Sequence, residues 1–319
     1  MTFFRAGAVI APFLAVALLA GCASTGSGAS GSTGLAGELA FVPAGDQILY
    51  SDLEGARAAL GLESDAPAVE VLTELDEELG VIAPQSFDWW EIDLAEDVEG
   101  AIGVSVLDVG RFVESRDAEG ADILAFDAPD DAAARLTKAL GDPVDGLWEH
   151  GEVDGGVDLS AEGGRAAIYS QRIAEIDGRL VIAGRSETIG QIRDGESAAN
   201  DERAVAAAAA LDGRGVLSAM LFEPRNEVLP GATYVGGGVS HGDDGVSVHF
   251  VAVAQGDAEA LADAMRELFE SGTTFRGTPF ADLVSVDEVT VSGDVVVVDA
   301  RPTAAANVWS QMLLQGELG

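Results

Sequence analysis

The sequence reads IAEIDGRLVIA over residues 173–183, and this stretch sets the fold class. Apolar and β-branched residues flank a central Asp-Gly pair, the dipeptide most typical of a two-residue β-hairpin turn. A helix predicted to follow, starting at Ser186, would bury Ile189 and Ile192. The stretch therefore predicts two antiparallel strands followed by a packed helix, a unit of an α+β fold.

The same order of elements recurs near the C-terminus. A strand and a helix precede each hairpin, and a helix follows it. The predicted elements of this second set are a strand at Val246–Ala254, a helix at Asp257–Phe269, a hairpin of Val289–Val291 with Asp294–Val298 around a Ser292-Gly293 turn, and a helix at about Thr303–Leu314. We expect two similar halves, residues 38–213 and 214–319, with mainly antiparallel sheets and helices packed on one face. Two unrelated α+β stretches with similar hairpins remain an alternative.

The folded part is predicted to start near Glu38. Ser51 is a candidate N-cap for a helix over Asp52–Leu60, and Gly61 would end that helix. A further helix over Pro67–Leu79 carries an apolar face at helical spacing and is followed by Gly80. The first half is thus predicted to open with these two helices, which precede the hairpin at residues 173–183.

The N-terminus, residues 1–21, is expected to be a lipoprotein signal peptide. Arg5 supplies a positive charge, and the apolar stretch after it is too short to span a membrane comfortably. It ends in Leu19-Ala20-Gly21-Cys22, which resembles a bacterial lipobox. That resemblance implies cleavage before Cys22 and acylation of its thiol and new amine with palmitate-type chains; an ordinary signal peptide with a chance cysteine is the alternative.

Residues 22–37 form a Gly/Ser-rich tether after the lipidated cysteine. As a flexible coil, the tether would reach about 20 Å on average. The expected location is therefore extracytoplasmic, with the folded part anchored to the cell membrane by the N-terminal lipid and close to the membrane surface.

Composition excludes several function classes. The 319-residue chain has 55 acidic and 17 basic residues, and a net charge of −38 makes nucleic-acid binding very unfavourable. Its single cysteine permits neither an internal disulfide nor a cysteine-rich zinc site. The acidic excess fits a high-salt environment or a GC-rich genome equally well.

Two short phrases resemble a family of uncharacterised extracytoplasmic bacterial proteins, many of them actinobacterial lipoproteins. The first is FVPAGD over residues 41–46 with Tyr50, which matches a "VPAD…Y" opening apart from an extra Gly45. The second is DGRLVIA over residues 177–183, which matches a "DGxLVIA" hairpin. The resemblance covers most of residues 38–319 and implies location and architecture. The family has no assigned activity, so it implies no functional residues.

A nucleophile-elbow pattern, G-x-S-x-G, occurs at Gly238–Gly242 around Ser240. A working elbow needs a strand before the serine and a helix after it. Here Asp243-Asp244-Gly245 and a further strand follow, so the pattern is expected to lie in a hairpin. We therefore expect no catalytic residues and no enzymatic activity.

Metal and cofactor motifs are weak. His241, Asp243, Asp244 and His249 could cluster, but an even-numbered hairpin loop would point the two histidines to opposite faces of the sheet. The acidic loop at 151–158 lacks the spacing of a calcium loop, and the G-x-G-x-x-G at 26–31 lies in the tether. No metal and no cofactor are expected.

Phe87, Trp89 and Trp90 form an aromatic cluster that is a candidate partner contact. Packing of both tryptophans around the first helices is the alternative. Together these features predict a membrane-anchored lipoprotein with a non-catalytic binding or envelope-scaffold role. Its expected partners are the membrane, through the lipid, and an envelope protein. A carrier or binding protein for a lipid or small hydrophobic ligand is the alternative, and it requires an apolar pocket.

Overall fold

The computed structural model describes residues 34–45, 47–62, 68–86, 99–100, 102–104, 109–116, 122–150, 172–226 and 228–318. These residues belong to one compact unit, residues 32–319. The predicted signal peptide, the lipobox with Cys22 and the aromatic cluster Phe87, Trp89 and Trp90 lie outside the described residues, as does the acidic loop at 151–158.

The described strands form one antiparallel sheet of eleven strands. They are β1 (Gln47–Asp52), β2 (Arg111–Arg116), β3 (Asp122–Asp127), β4 (Trp148–Glu149), β5 (Arg172–Ile176), β6 (Arg179–Ala183), β7 (Ser218–Phe222), β8 (Ala232–Gly242), β9 (Gly245–Ala254), β10 (Val284–Ser292) and β11 (Val295–Pro302). Their order in the sheet is β10-β11-β9-β8-β7-β1-β2-β3-β6-β5-β4. The predicted α+β fold with mainly antiparallel strands is confirmed.

Eight α-helices lie within the described residues. They are α1 (Leu35–Glu38), α2 (Leu53–Leu60), α3 (Ala68–Glu74), α4 (Ala132–Leu140), α5 (Ser186–Arg193), α6 (Glu202–Asp212), α7 (Ala258–Ser271) and α8 (Val308–Leu314). A π-helical turn, Leu75–Leu79, continues α3. From Ala68 onward, the predicted helix over Pro67–Leu79 is therefore observed as two segments of different winding.

Aspartate side chains cap several of these helices. The Asp52 carboxylate accepts a hydrogen bond from the Gly55 N–H at 2.8 Å, and Asp257 caps α7 through the Ala260 N–H at 3.0 Å. The prediction that Ser51 caps α2 was wrong. Ser51 is fully buried in β1, and its hydroxyl donates to the Ile82 carbonyl instead.

Helices cover both faces of the sheet, so the prediction that they pack on one face was wrong. Along β6, Leu180 and Ile182 belong to one core, whereas Val181 and Ala183 belong to the other. Helices α2, α4, α7 and α8 contribute to the first core, and α1, α5 and α6 to the second. A strand that is apolar at every position needs cover on both sides, which is the physical reason for the difference.

Helix α1, Leu35–Glu38, lies at the start predicted near Glu38 and packs into the core. Leu35 is fully buried, and its N–H donates to the Asp212 carboxylate at 2.7 Å. The Glu38 side chain is also fully buried and accepts two hydrogen bonds from Arg179, at 2.6 and 3.0 Å. Helix α1 is thus held at both ends by side chains from distant parts of the chain.

The strand order follows the order of the chain in a regular way. Strands from residues 47–183 lie in the order β1-β2-β3-β6-β5, and those from residues 218–302 lie in the order β7-β8-β9-β11-β10. A helix, α4 or α7, follows the third strand in each case. Because β1 pairs with β7, the sheet continues across the predicted boundary at residues 213 and 214.

Candidate functional site

The strongest candidate site is built around Glu114, a carboxyl group on the core side of β2. Glu114 lies between Leu49 of β1 and Leu124 of β3 in the sheet register, and it is 3% exposed. Both carboxylate oxygens accept the Gln85 N–H, at 3.0 and 2.9 Å, and one also accepts the Ser86 N–H at 2.8 Å. The carboxyl is therefore buried and satisfied by backbone donors.

Burial raises the pKa of the Glu114 carboxyl to about 7, and the N–H groups of Ser86 and Gln85 limit that rise. A carboxyl with this pKa exists in both protonation states near neutral pH. It can therefore accept a hydrogen bond as the carboxylate or donate one as the acid.

A cavity of about 260 Å³ opens beside this carboxyl. It is lined by Gln47, Leu49, Gln85, Ser86, Glu114, Ser115, Arg116, Asp122 and Arg225. Arg116 and Asp122 are neighbours on β2 and β3 and pair at 2.8 Å. The cavity wall is thus polar and carries both signs of charge, an arrangement that suits a small polar molecule.

Residues 80–86, which we call the strap, hold the backbone donors of the site in place. The Trp309 indole N–H of α8 donates to the Gly80 carbonyl at 3.0 Å. In the middle of the strap, the Ile82 carbonyl accepts from Ser51 of β1 at 2.7 Å, and its N–H donates to Ser218 of β7 at 3.1 Å. The strap is therefore fixed by strands β1 and β7 upstream of the two N–H groups that bind Glu114.

A second polar cluster includes the serine of the G-x-S-x-G pattern. Ser240 Oγ lies 2.8 Å from His249 Nε2, and His249 Nδ1 lies 2.7 Å from Asp299 Oδ1. Arg214 donates to both oxygens of the same carboxylate, at 2.6 and 3.0 Å. The side chains of Ser240, His249 and Asp299 come from the neighbouring strands β8, β9 and β11. In the sheet register, His249 is the cross-strand partner of both Gly238 and Asp299.

The histidines and aspartates considered as a metal cluster do not come together. His241, Asp243 and Asp244 are exposed at the tip of the β8–β9 hairpin, whose loop has two residues. His249 lies on the opposite face from His241, as an even-numbered loop predicts. Within the described part of the chain, no group of three or more histidine, cysteine, aspartate or glutamate side chains could hold a metal ion.

Sequence reasoning missed Glu114, although the sequence holds a signal for it. Phe112 and Glu114 alternate along a strand and so must share a face, which places the carboxyl on the side where the phenylalanine is buried. The strap could not be foreseen, because its contacts to Ser51 and Ser218 depend on strand pairing between distant segments.

Comparisons with known proteins leave the chain without a family. No protein-family model matches it, and no curated protein does. Crystal forms I, III and IV of TP0453 match with 7%, 7% and 8% identity, and with TM-scores of 0.35, 0.38 and 0.39. They cover 90%, 87% and 88% of this chain and 98%, 97% and 96% of the matched chains. At these TM-scores the likeness carries no argument about fold or function. None of the described helices is both long enough and apolar enough to cross a membrane.

Proposed function

We propose that the chain is an extracytoplasmic binding protein, held at the cell membrane by acyl chains on Cys22, and that its ligand is a small polar molecule. The observation that carries the proposal is the buried Glu114 carboxyl at the wall of a polar cavity. The lipobox-like sequence and the Gly/Ser tether support the location.

The position of Glu114 supports binding because the apolar row of the sheet does not call for a carboxyl there, and the same carboxyl also accepts the N–H groups of Gln85 and Ser86. Its neighbours across the sheet are Leu49 and Leu124, and a leucine at position 114 would continue that apolar row. Burying a carboxyl usually costs more free energy than burying an apolar side chain of similar size. A group kept at that cost, with a strongly raised pKa and beside a cavity, is the signature of a functional site.

The cavity wall indicates the class of ligand. Arg116 and Arg225 line it together with Asp122 and Gln47, so hydrogen-bond donors and acceptors surround the space beside Glu114. A hydrocarbon chain in this cavity would lie against charged and amide groups and would gain little apolar contact. A ligand with an amine, hydroxyl or amide group could exchange hydrogen bonds with this wall.

The regular strand order supports a further part of the proposal, that the chain consists of two similar α+β halves. The orders β1-β2-β3-β6-β5 and β7-β8-β9-β11-β10 correspond strand by strand. The halves differ in their last helices, because α5 packs in one core and α8 in the other. Under this proposal most of the residues that line the Glu114 cavity belong to the first half, and the second half contributes Arg225.

Native mass spectrometry of the full protein, gently extracted from its host's envelope, tests the binding proposal. Three proteins would be compared: wild type, Glu114→Gln and Glu317→Gln. Glu317 is a matched control, since it is also 3% exposed and accepts a backbone N–H with both oxygens, from Phe275 at 2.9 and 3.0 Å. It does not line the cavity.

We expect a non-covalent adduct of small polar mass on wild type and on Glu317→Gln, and its loss from Glu114→Gln. An adduct that persists at full occupancy in Glu114→Gln would contradict the assigned site. Wild type without any adduct would contradict the ligand-binding function itself.

The alternative function is a carrier of lipid or of a small hydrophobic ligand. The specific observation in its favour is a groove of about 580 Å³ beside edge strand β10, which Phe269, Val286 and Val289 help to line. Arg266 and Asp287 also line that groove, so its wall is mixed rather than apolar. An adduct of lipid mass, beyond the covalent anchor, would support the carrier instead.

A protein partner at Phe87, Trp89 and Trp90 remains a separate proposal, motivated by the sequence alone. Replacing the three aromatic residues by alanine and comparing the envelope proteins cross-linked to each form would test it. An unchanged cross-linking pattern would contradict this partner contact.

A further inference from the structure

The cluster of Ser240, His249 and Asp299 lies apart from the Glu114 cavity and is not used by the proposed function. All three side chains point to the face of the sheet that carries α6, and Arg214, which follows α6, completes the cluster. His249 is 6% exposed, whereas Ser240 is only partly buried. Ser240 and Asp299 are therefore both partly accessible to solvent, and the serine hydroxyl ends the chain of hydrogen bonds.

The charge on Asp299 determines which histidine nitrogen carries the proton. Burial acts to raise the pKa of Asp299, but hydrogen bonds from His249 and Arg214 outweigh it and lower that pKa to about 2. The carboxylate is ionised and can only accept, so His249 Nδ1 must donate to it across the 2.7 Å contact. In the neutral imidazole, Nε2 is then an acceptor, and Ser240 donates its O–H to it at 2.8 Å.

This is the arrangement of a serine activated by a histidine base and a carboxylate that orients the histidine. Arg214 binds both oxygens of the carboxylate, with Nε donating to Oδ1 and Nη2 to Oδ2, so Oδ1 contacts both Arg214 and His249. The guanidinium fixes the carboxylate in the plane it needs to bind His249. It also partly neutralises the charge of the Asp299 carboxylate.

The backbone next to Ser240 offers a donor for a developing negative charge. Strand β7 begins at Ser218, and just before it the Leu217 N–H donates to the Val239 carbonyl at 2.7 Å. Backbone groups of a strand point to the same side at every second residue, so the His241 N–H is directed to the side of the Val239 carbonyl. The pairing of β7 with β8 ends at Val239. On that side of β8, none of the described strands pairs with His241.

We propose that Ser240 is a nucleophile that accepts an acyl group from a small uncharged ester. His249 takes the serine proton, the Ser240 Oγ–carbonyl carbon bond forms, and the ester C–O bond breaks. The leaving alkoxide takes the proton from His249, and a water molecule then hydrolyses the acyl-serine to an acid. Asp299 is a positioning residue. The exposed Asp243 and Asp244 and the net charge of −38 favour uncharged over anionic substrates.

The hairpin context separates this site from a nucleophile elbow. Ser240 lies within β8 and not on a strand-to-helix turn, which is why the sequence pattern alone argues against a hydrolase. The inference rests instead on His249 and Asp299, which the register of β9 and β11 brings to the serine.

Covalent labelling of the full protein with a fluorophosphonate tests the proposal. In that reaction the Ser240 Oγ–P bond forms and the P–F bond breaks, with fluoride leaving and the proton passing to His249. The proteins compared are wild type, Ser240→Ala, His249→Gln and Ser247→Ala. Ser247 is the matched control, because it is the direct cross-strand partner of Ser240 in β9. Far-UV circular dichroism verifies that each variant is folded.

We expect an adduct on the Ser240 peptide in wild type and Ser247→Ala, and none in Ser240→Ala. The labelling rate of His249→Gln should fall by about 100-fold or more, the usual contribution of a general base. Wild type should also release p-nitrophenolate from p-nitrophenyl acetate faster than Ser240→Ala does. No adduct on wild type, or equal labelling rates of wild type and His249→Gln, would overturn the proposal.

The positioning role of Asp299 has its own readout. A hydrogen-bonded His249 Nδ1–H should give a strongly downfield proton resonance that disappears in His249→Gln and in Asp299→Asn. If Asp299 has only a structural role, Asp299→Asn will lose the resonance but keep the wild-type rate of fluorophosphonate labelling. That result would remove Asp299 from the mechanism.

Discussion

The unfolding free energy of the protein should depend on pH through Glu114 in a way that Glu114→Gln removes. Burial raises the pKa of this carboxyl from 4.5 to about 7, so folding favours its neutral form. The stabilisation by the neutral form is fully present below the unfolded pKa and is lost as pH rises toward the folded pKa. At about 1.4 kcal/mol for each pH unit, the full loss is about 3 kcal/mol.

The assay is urea unfolding of both proteins at about pH 5 and about pH 8, followed by circular dichroism. The other acidic side chains titrate in both proteins and cancel in the difference between them. Wild type should lose about 2.5 kcal/mol relative to Glu114→Gln over this range. A difference that stays constant, or that changes in favour of wild type as pH rises, would refute the reasoning from burial.

Three further predictions concern the anchor and the packing. Cys22→Ala should move the protein from the membrane fraction to the soluble fraction, and continued flotation with membranes would contradict lipid anchoring. Gly236→Ala should lower the free energy of unfolding by about 1–3 kcal/mol, since an added Cβ would clash with a backbone carbonyl of β7. Gly242→Ala is its control, with nothing within 4 Å, and equal loss in both would contradict a local clash. Glu38→Gln should cost about 3 kcal/mol, because it removes the buried charge that pairs with Arg179, and urea unfolding measures that cost.

The two hairpins show where local sequence is sufficient and where it is not. Asp177-Gly178 form the predicted turn, and both have positive φ, at 47° and 82°, as a type I′ turn requires. The second hairpin turns at Gly293-Asp294, one residue later than predicted, with Ser292 paired to Val295. Of these two residues, only Gly293 has a positive φ, at 61°. This matches a turn with glycine at the first of its two central positions, whereas in the first hairpin glycine occupies the second.

Other features depend on contacts that local patterns do not encode. The Ser240–His249 contact follows from the two-residue loop of the β8–β9 hairpin, so the sequence comes close to predicting it. The Asp299 contact requires β11 to pair with β9, across the intervening helix α7 and strand β10. Helices on both faces could have been anticipated from the unbroken apolar run Leu180–Ala183, because such a run is buried on both sides.

The central position of β1 also constrains the order in which the chain can fold. One edge of β1 pairs with β2, but its other edge pairs with β7, and Ser51 and Ser218 are separated by 167 residues. As the chain emerges N-terminus first, β1 to β6 can assemble while that second edge stays open. Contacts of such long sequence separation form slowly, and an open edge invites pairing with another chain. Until β7 arrives, the nascent chain is therefore most vulnerable to aggregation along the same edge of β1 that later pairs with β7.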